Sequence, residues 1–471
     1  MEGAPEPLLS KRWPWATAAV ILVAIYLATF ADVRLGRPDS RPTGSVSDIE
    51  ALAERDDLNV LFIVIDTLRA NHLSAWGAER ETSPVLDYLA SGGVRFDHQI
   101  AQSSWTKCSM ASLWTGLLPA KTGVTRFEDL LPDDAVMPAE ILRDAGFRTV
   151  GLFRNGWVEG YFGFDQGFDT YIRPLGSGMP PEVRRENPTL KGANTDDSAI
   201  EAAIEFLRVE GHERWFLYLH HMDVHEYLYD DATAVFGTSY EDIYDQSILR
   251  EDGVINRLLV HLSEEDLLEK TLIVITSDHG EAFGEHDGEG HARRVYREET
   301  HVPFIISFPF RLEEGIVVEH PTSNVDVWPT LLDLMGLPGL GDVDGVSRMP
   351  DILAAARGEP APEPVPAIAY LDQTWGRPPD AKTMPTVSIV ADGFRYVRTD
   401  HAGGSIEELF HGERDPRELE DVIDEHPETA QRMRALAEAY LATEPVWQDV
   451  PDLEIDEVQL NQLRALGYQV P

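Results

Sequence analysis

Residues 59–66 read Asn59-Val-Leu-Phe-Ile-Val-Ile65-Asp66, a nearly unbroken apolar run rich in β-branched residues that ends on a carboxylate. A strand with one wet face alternates apolar and polar residues. A run without alternation suits a strand buried on both faces of a mostly parallel sheet. Similar runs recur at Trp215–His220, Thr271–Thr276 and Val302–Phe308. Amphipathic segments separate them: Ser83–Ser91, Met137–Ala145, Asp196–Arg208 and Tyr240–Leu262. Strands alternating with helices predict an α/β fold with a doubly wound, mostly parallel sheet.

Upstream of this strand the sequence changes character twice. Lys11 and Arg12 precede an apolar run from Trp13 to Phe30, with Trp13, Trp15 and Tyr26 as amphipathic anchors. Its length is about that of a short transmembrane helix, and the basic pair favours a cytoplasmic tail at residues 1–12. The expectation is a single-pass membrane anchor at 13–30 with the catalytic part outside the cytoplasm. The alternative is secretion after cleavage of a signal peptide, with Ala31 as its last residue. Residues 31–57 are polar, broken by Gly and Pro, and read as a tether.

Downstream, Glu359–Pro366 (EPAPEPVP) reads as a linker,. Val387–Ala391 and Phe394–Arg398 flank Asp392-Gly393, a hairpin signal,. A helix is expected at Glu428–Ala442. Residues 58–358 therefore read as the catalytic domain and 367–471 as a C-terminal subdomain with a small antiparallel sheet.

Composition narrows the function. The 471-residue chain has 82 acidic against 39 basic residues, a formal net charge of -43. Such a surface repels nucleic acid, which is excluded as a partner; its ordinary meaning is a solvated anionic surface suited to solubility or a salty habitat. An anionic substrate would need local attraction from a metal or a few fixed cations. The lone cysteine, Cys108, rules out an intrachain disulfide and says nothing about the redox compartment,.

Asp66 and the pair Asp278-His279 each follow an apolar strand, at the carboxyl edge where open α/β sheets bind ligands. Two carboxylates and an imidazole there could hold one divalent cation; the plainer reading is helix N-caps. In Ser103-Ser-Trp-Thr106-Lys-Cys108-Ser-Met110, the apolar residues Met110, Leu113, Trp114 and Leu117 recur at helical spacing. A helix starting near Thr106 puts its hydroxyl in the field of the helix N-terminus, unless Thr106 is only a capping residue. His220, His221, Asp223 and His225 follow the Trp215 strand, while His286 and His291 lie in a Gly- and Glu-rich loop. Near a metal such histidines become general acids or donors to substrate oxygens.

Together these segments resemble the sulfatase family of the alkaline-phosphatase superfamily. NVLFIVIDTLRANHLSAWG is similar to the family's metal-binding first strand, and SSWTKCSMASLWTGLLPAKTGV to its nucleophile helix. GYFGFDQGFDTY, FLYLHHMDVHEY, TLIVITSDHGEAFGEH, YREETHVPFIISFP and VDVWPTLLDLMGLP follow in the family's order, and DGFRYVR and QLRALGY resemble its C-terminal part. The likeness runs from about Leu58 to the end and implies an alkaline-phosphatase-like fold. It implies that Asp66, Asp278 and His279 bind one divalent metal ion (Ca, Mn, Mg or Zn), with Thr106 beside it, and that His225 and His291 flank an anionic ester substrate.

The resemblance also implies the nucleophile. Authentic sulfatases convert a cysteine or serine of a Cys-x-Pro-x-Arg motif to formylglycine. Around Cys108, Met110 stands at the proline position and Ser112 at the arginine position. The family nucleophile lies ten residues before a Thr-Gly glycine, which here is Gly116, and that position is Thr106. The expectation is a threonine nucleophile of the sulfatase-like branch. Thr67 replaces the second aspartate of the usual pair, Met110 removes an expected anion contact, and Arg154 falls near a family lysine that meets the substrate's charge. The implied activity is metal-dependent hydrolysis of sulfuric or phosphoric esters. The alternatives are a lipid-linked phosphoglycerol or phosphoethanolamine transferase and a catalytically silent, membrane-tethered binding protein.

Overall fold

A computed structural model of the chain describes residues 39–174, 195–229, 234–373, 382–412 and 414–447. The expected tail and anchor at 1–30 and the closing QLRALGY stretch lie outside them. Among the described residues, no helix is long and apolar enough to cross a membrane.

The run that opens at Asn59 forms strand β1 (Asn59–Ile65), with all seven residues buried. Its side chains alternate between two cores: Val60, Phe62 and Val64 join one cluster, and Leu61, Ile63 and Ile65 the other. Both faces are apolar because helices cover both, which is why the sequence shows no alternation. The other strands of this sheet are β2 (Val94–Ile100), β3 (Arg148–Phe153), β4 (Thr170–Ile172), β5 (Trp215–His221) and β6 (Thr271–Thr276). Later in the chain come a small hairpin, β7 (Ala282–Phe283) and β8 (Glu289–Gly290), and then β9 (His301–Val302), β10 (Phe304–Ser307) and β11 (Ile316–Ser323).

Among the described residues the main sheet has nine strands, in the order β11-β2-β10-β6-β1-β5-β3-β4 with β9 beside β2. The pairs around β1 are parallel, so the sheet is mainly parallel as expected. The run Val302–Phe308 departs from that pattern. Pro303 has no N–H to donate to a ladder and divides the run into β9 and β10. Strand β10 lies antiparallel between β6 and β2.

Helices α1 (Pro84–Ser91), α3 (Pro138–Asp144), α4 (Asp196–Glu210) and α5 (Tyr240–Glu264) fall on the four amphipathic segments to within two residues. Helix α2 (Thr106–Thr115) starts where the helix near Thr106 was expected, and α6 (Val327–Leu334) is a further helix. Met110, Leu113 and Trp114 of α2 pack with Trp328 of α6 and Phe62 of β1 in one core. Helices α1, α4 and α5 supply the other. The stretch expected to be a tether is docked from Asp39 onward: Arg41 donates to Ser307 Oγ at 2.8 Å and to the Phe308 carbonyl at 2.9 Å. Ile49 and Leu52, one helical turn apart, are fully buried there, an apolar pair too short to register as a periodic pattern.

A four-stranded antiparallel sheet forms the C-terminal part, in the order β12 (Ala367–Asp372), β13 (Pro385–Ala391), β14 (Phe394–His401) and β15 (Gly404–His411). Helix α7 (Pro427–Leu441) packs on it through Met433, Ala437 and Tyr440. The hairpin read from Asp392-Gly393 is the β13–β14 turn, with both residues at positive φ.

Candidate active site

Register fixes what meets at the sheet's carboxyl edge. Ile65 pairs with His221 across β1 and β5, and Val64 pairs with Thr276 across β1 and β6. The chain therefore leaves three parallel strands at one level, presenting Asp66, His220 and His221, and Asp278 with His279. All are fully buried.

Asp66 and Asp278 each spend one carboxylate oxygen on protein donors and leave the other bare. Asp66 Oδ2 accepts from Asn155 Nδ2 at 2.5 Å and lies 3.1 Å from His220 Nε2. Asp278 Oδ1 accepts from the His279 and Thr67 amides at 2.9 and 3.3 Å. Asp66 Oδ1 and Asp278 Oδ2 have no hydrogen-bond partner. His279 Nε2 lies 3.8 Å from the first and 3.4 Å from the second. Its Nδ1 is 2.9 Å from the Gly280 carbonyl; donation there puts the proton on Nδ1 and leaves Nε2 as a lone-pair donor.

Burial pushes both carboxyls up to about 7, each raised further by other carboxylates nearby, and holds His279 well below its ordinary value. Buried, unpartnered oxygens are costly unless something neutralises them. Ligand atoms of Asp66, Asp278 and His279 within 4.8 Å of one another fit a divalent cation,. Thr67 turns the chain just after Asp66 in a left-handed conformation, φ 61°, uncommon for a β-branched residue,. Its hydroxyl donates to the Asp66 carbonyl at 2.7 Å.

Thr106 is the first residue of α2, and no side chain of the N-cap residue Trp105 caps that helix. Its Oγ1 lies 3.2 Å from His279 Nε2 and accepts from Asn155 Nδ2 at 3.2 Å. Ser109, one turn on, donates to the Asp278 carbonyl at 2.6 Å and ties the helix to the β6 edge. Cys108 points into the apolar core, where burial pushes its thiol up to about 12. A thiol held protonated is a poor nucleophile.

His225 and His291 come together, ring centroids 4.9 Å apart, with His291 4.7 Å from His279. Burial opposes charge on His291, but the Glu281 carboxylate, 3.3 Å from Nδ1, outweighs it and pushes the imidazole up to about 9. His225 is held well below its usual value, by burial first and His291 next. His286 is elsewhere: it stacks on Tyr296 at 3.8 Å and binds Glu298.

Arg154, expected to meet the substrate, has its guanidinium engaged by three carboxylates. Nη1 donates to Asp196 at 2.8 Å and Asp223 at 2.5 Å, and Nη2 to Glu226 at 2.5 Å. The residue beside it, Asn155, makes the contacts to Asp66 and Thr106. Asn155 and the role of His220 beside Asp66 escape the sequence reading. Strand β3 is only six residues long, and the segment that follows it carries no metal-ligand signal. His220 is visible only as one of several clustered histidines.

The sulfatase family pattern matches residues 58–337, more than half of the chain. The chain belongs to the sulfatase family. The pattern of the C-terminal part of N-sulphoglucosamine sulphohydrolase matches residues 284–443. Among curated sulfatases, chicken (Gallus gallus) arylsulfatase K is 32% identical over 183 residues, which cover 39% of this chain and 33% of that one. Mouse (Mus musculus) steryl-sulfatase is 25% identical over 441 residues, covering 70% of this chain and 69% of that one. The phosphonate monoester hydrolase of Agrobacterium radiobacter superposes with a TM-score of 0.64 at 21% identity, covering 82% of this chain and 95% of that one. This last likeness concerns the fold. Membership of the sulfatase family makes the protein an ester hydrolase, with acidic and histidine groups able to hold a metal at the sheet edge.

Proposed function

We propose that this sulfatase-family enzyme hydrolyses monoesters of sulfuric or phosphoric acid with Thr106 as nucleophile beside a single divalent cation held by Asp66, Asp278 and His279. The observation that carries the reading is the position of Thr106 Oγ1, at a helix N-terminus, 3.2 Å from His279 Nε2 and beside the bare oxygens Asp66 Oδ1 and Asp278 Oδ2. The cation, when bound, supplies Lewis acidity that favours the Thr106 alkoxide and offsets charge on the ester oxygens. Asn155 fixes the Thr106 oxygen and Asp66 with one amide. The N–H groups opening α2 stabilise the anion. His291, held protonated by Glu281, gives its proton to the leaving alkoxide; His225 stays neutral beside it. Arg154 acts at one remove, gripping Asp223 and Glu226 on either side of His225.

Thr106, its hydroxyl proton lost to solvent, attacks in line, forming an O–P or O–S bond as the leaving oxygen departs with the His291 proton. Water then attacks the same centre, giving a proton to the now neutral His291 and freeing Thr106. A phosphorylated threonine is open to that second attack. A sulfated one lacks the hemiacetal route of formylglycine. Phosphate esters are therefore expected to turn over faster. The test is a panel of aryl phosphates, sulfates and phosphonates assayed with Mn, Zn, Ca and Mg. Thr106→Ala should lose about 10³-fold or more in kcat and the covalent adduct seen by intact-mass analysis, while Cys108→Ala keeps both. Activity that survives Thr106→Ala and dies with Cys108→Ala overturns the assignment.

A further inference from the structure

A groove of about 730 Å³ lies against the loops that carry His225 and His291. Tyr227, Tyr240 and Phe283 give it aromatic walls; Asp287, Glu289 and Arg293 are its charged lining. Its walls adjoin the reacting centre along the chain: Tyr227 follows His225 by two residues, and Gly290 directly precedes His291. Glu281 holds His291, and its Oε1 lies against Gly290 of the groove wall, 3.6 Å from where a Cβ would stand. The β7–β8 hairpin, pairing Ala282 with Gly290 and Phe283 with Glu289, carries the groove outward from His291. Tyr227 is held at φ 51°, an unusual conformation for a bulky aromatic residue and one that persists only where its surroundings dictate it. Tyr240 opens α5 with 68% of its surface exposed, more than packing of that helix requires.

This chemistry selects among leaving groups. Aromatic faces stack on the C–H face of a ring or on another aromatic ring. Two exposed carboxylates accept hydrogen bonds from hydroxyl groups and repel anions, with one guanidinium against them. The volume suits a ligand of one to three rings. We infer that the leaving group is an uncharged, hydroxyl-bearing ring, such as a neutral sugar carrying a single ester, and that rings bearing a second anionic group are rejected at this groove. The inference rests on the ester-hydrolase reading above and names the part of the substrate which that reading leaves open.

The test holds the ester constant and varies what carries it: 4-nitrophenol, a methyl hexopyranoside, and the same pyranoside with a second sulfate. The neutral pyranoside ester should exceed its doubly charged counterpart by at least about tenfold in kcat/KM. Tyr240→Ala, at an exposed position, should lower kcat/KM for the pyranoside and nitrophenyl esters alike by about two- to tenfold through KM, with kcat unchanged, because both rings stack on the tyrosine. Asp287→Asn with Glu289→Gln should narrow the discrimination against the second sulfate. Equal or faster turnover of the doubly charged sugar, or a Tyr240→Ala variant that leaves KM for both ring esters unchanged, overturns the inference. Should no ester be turned over, the catalytic reading fails by itself. The groove is then judged by calorimetric binding of the ester-free methyl pyranoside: binding that Tyr240→Ala removes supports the inference, and no binding to the parent protein overturns it.

Discussion

At the scale of single residues, Thr106 and Cys108 sit two positions apart and differ in nearly everything that matters for attack. One hydroxyl lies among polar groups at a helix end; the other side chain is driven into the core with its proton locked on. In the sequence only the family resemblance, with its nucleophile ten residues before a Thr-Gly glycine, singled out Thr106 over Cys108. Asn155 was not legible, since nothing about an asparagine after a short strand says that its amide reaches two other segments. Its removal is a direct test. Asn155→Ala should lower kcat by roughly 10²-fold, in the range seen when one oriented donor is lost from a transition-state site. The fold should be spared, because Asp66 keeps His220 as a partner. Steady-state kinetics at saturating metal, beside an unfolding curve, decide the matter; an unchanged kcat excludes a catalytic role for the amide. Arg154 teaches the converse. Its sequence position suggested a substrate contact, yet its buried guanidinium is engaged by carboxylates from two distant segments, the start of α4 and the loop after β5, that one sequence does not bring together.

Whole elements were read more securely than their partners. An unbroken apolar run told that β1 is covered on both faces, and the hairpin at Asp392-Gly393 followed from two residues that accept positive φ. Strand direction was not accessible: Pro303 broke the expected Val302–Phe308 strand, and β10 runs against its neighbours. Two predictions belong here. Arg154 joins the end of β3, the start of α4 and the loop after β5. Arg154→Ala leaves Asp196, Asp223 and Glu226 short of their counter-charge, and urea unfolding should register a loss of about 3–5 kcal/mol. Arg154→Lys, which cannot reproduce the forked contacts, should recover only part of it; a stability equal to that of the parent would show the network to be idle.

His286 connects the β7–β8 hairpin to the C-terminal part. Burial alone would lower its pKa, but the hydrogen bond to Glu298 and a second, 2.7 Å long, to the Glu418 carbonyl raise it to about 9. Only the protonated ring can donate to both acceptors. A folded-state value above the ordinary 6.5 means the contribution is whole below that pH and is lost as pH climbs through 9. The stability gap between the parent and His286→Gln should therefore shrink by roughly 2 kcal/mol between pH 6 and 9.5, after discounting for partial solvent exposure. Chemical unfolding across that range measures it, and a gap independent of pH refutes the assignment.

For the molecule as a whole, the site is small and the surrounding field is large. The carboxyl edge concentrates a protonated His291 and, with metal bound, two further positive charges, while the chain carries a formal net charge of -43. These act over different distances. Contacts at 3–4 Å inside a buried site are little affected by salt, whereas the repulsion an approaching anion meets outside is screened over a Debye length of about 30 Å at 0.01 M salt and about 10 Å at 0.1 M. An anionic ester therefore pays its largest penalty on approach, at low ionic strength. Raising NaCl from 0.01 to 0.2 M should increase kcat/KM for a phosphate or sulfate ester, mainly by lowering KM, with kcat nearly flat. Replacing NaCl by choline chloride at the same ionic strength should give the same rise, because screening rather than a specific ion is responsible. An ester that carries an additional sulfate should respond more steeply. A fall in kcat/KM with salt would mean that the cations at the sheet edge steer the substrate from outside, and that the acidic surface is turned away from the mouth of the groove.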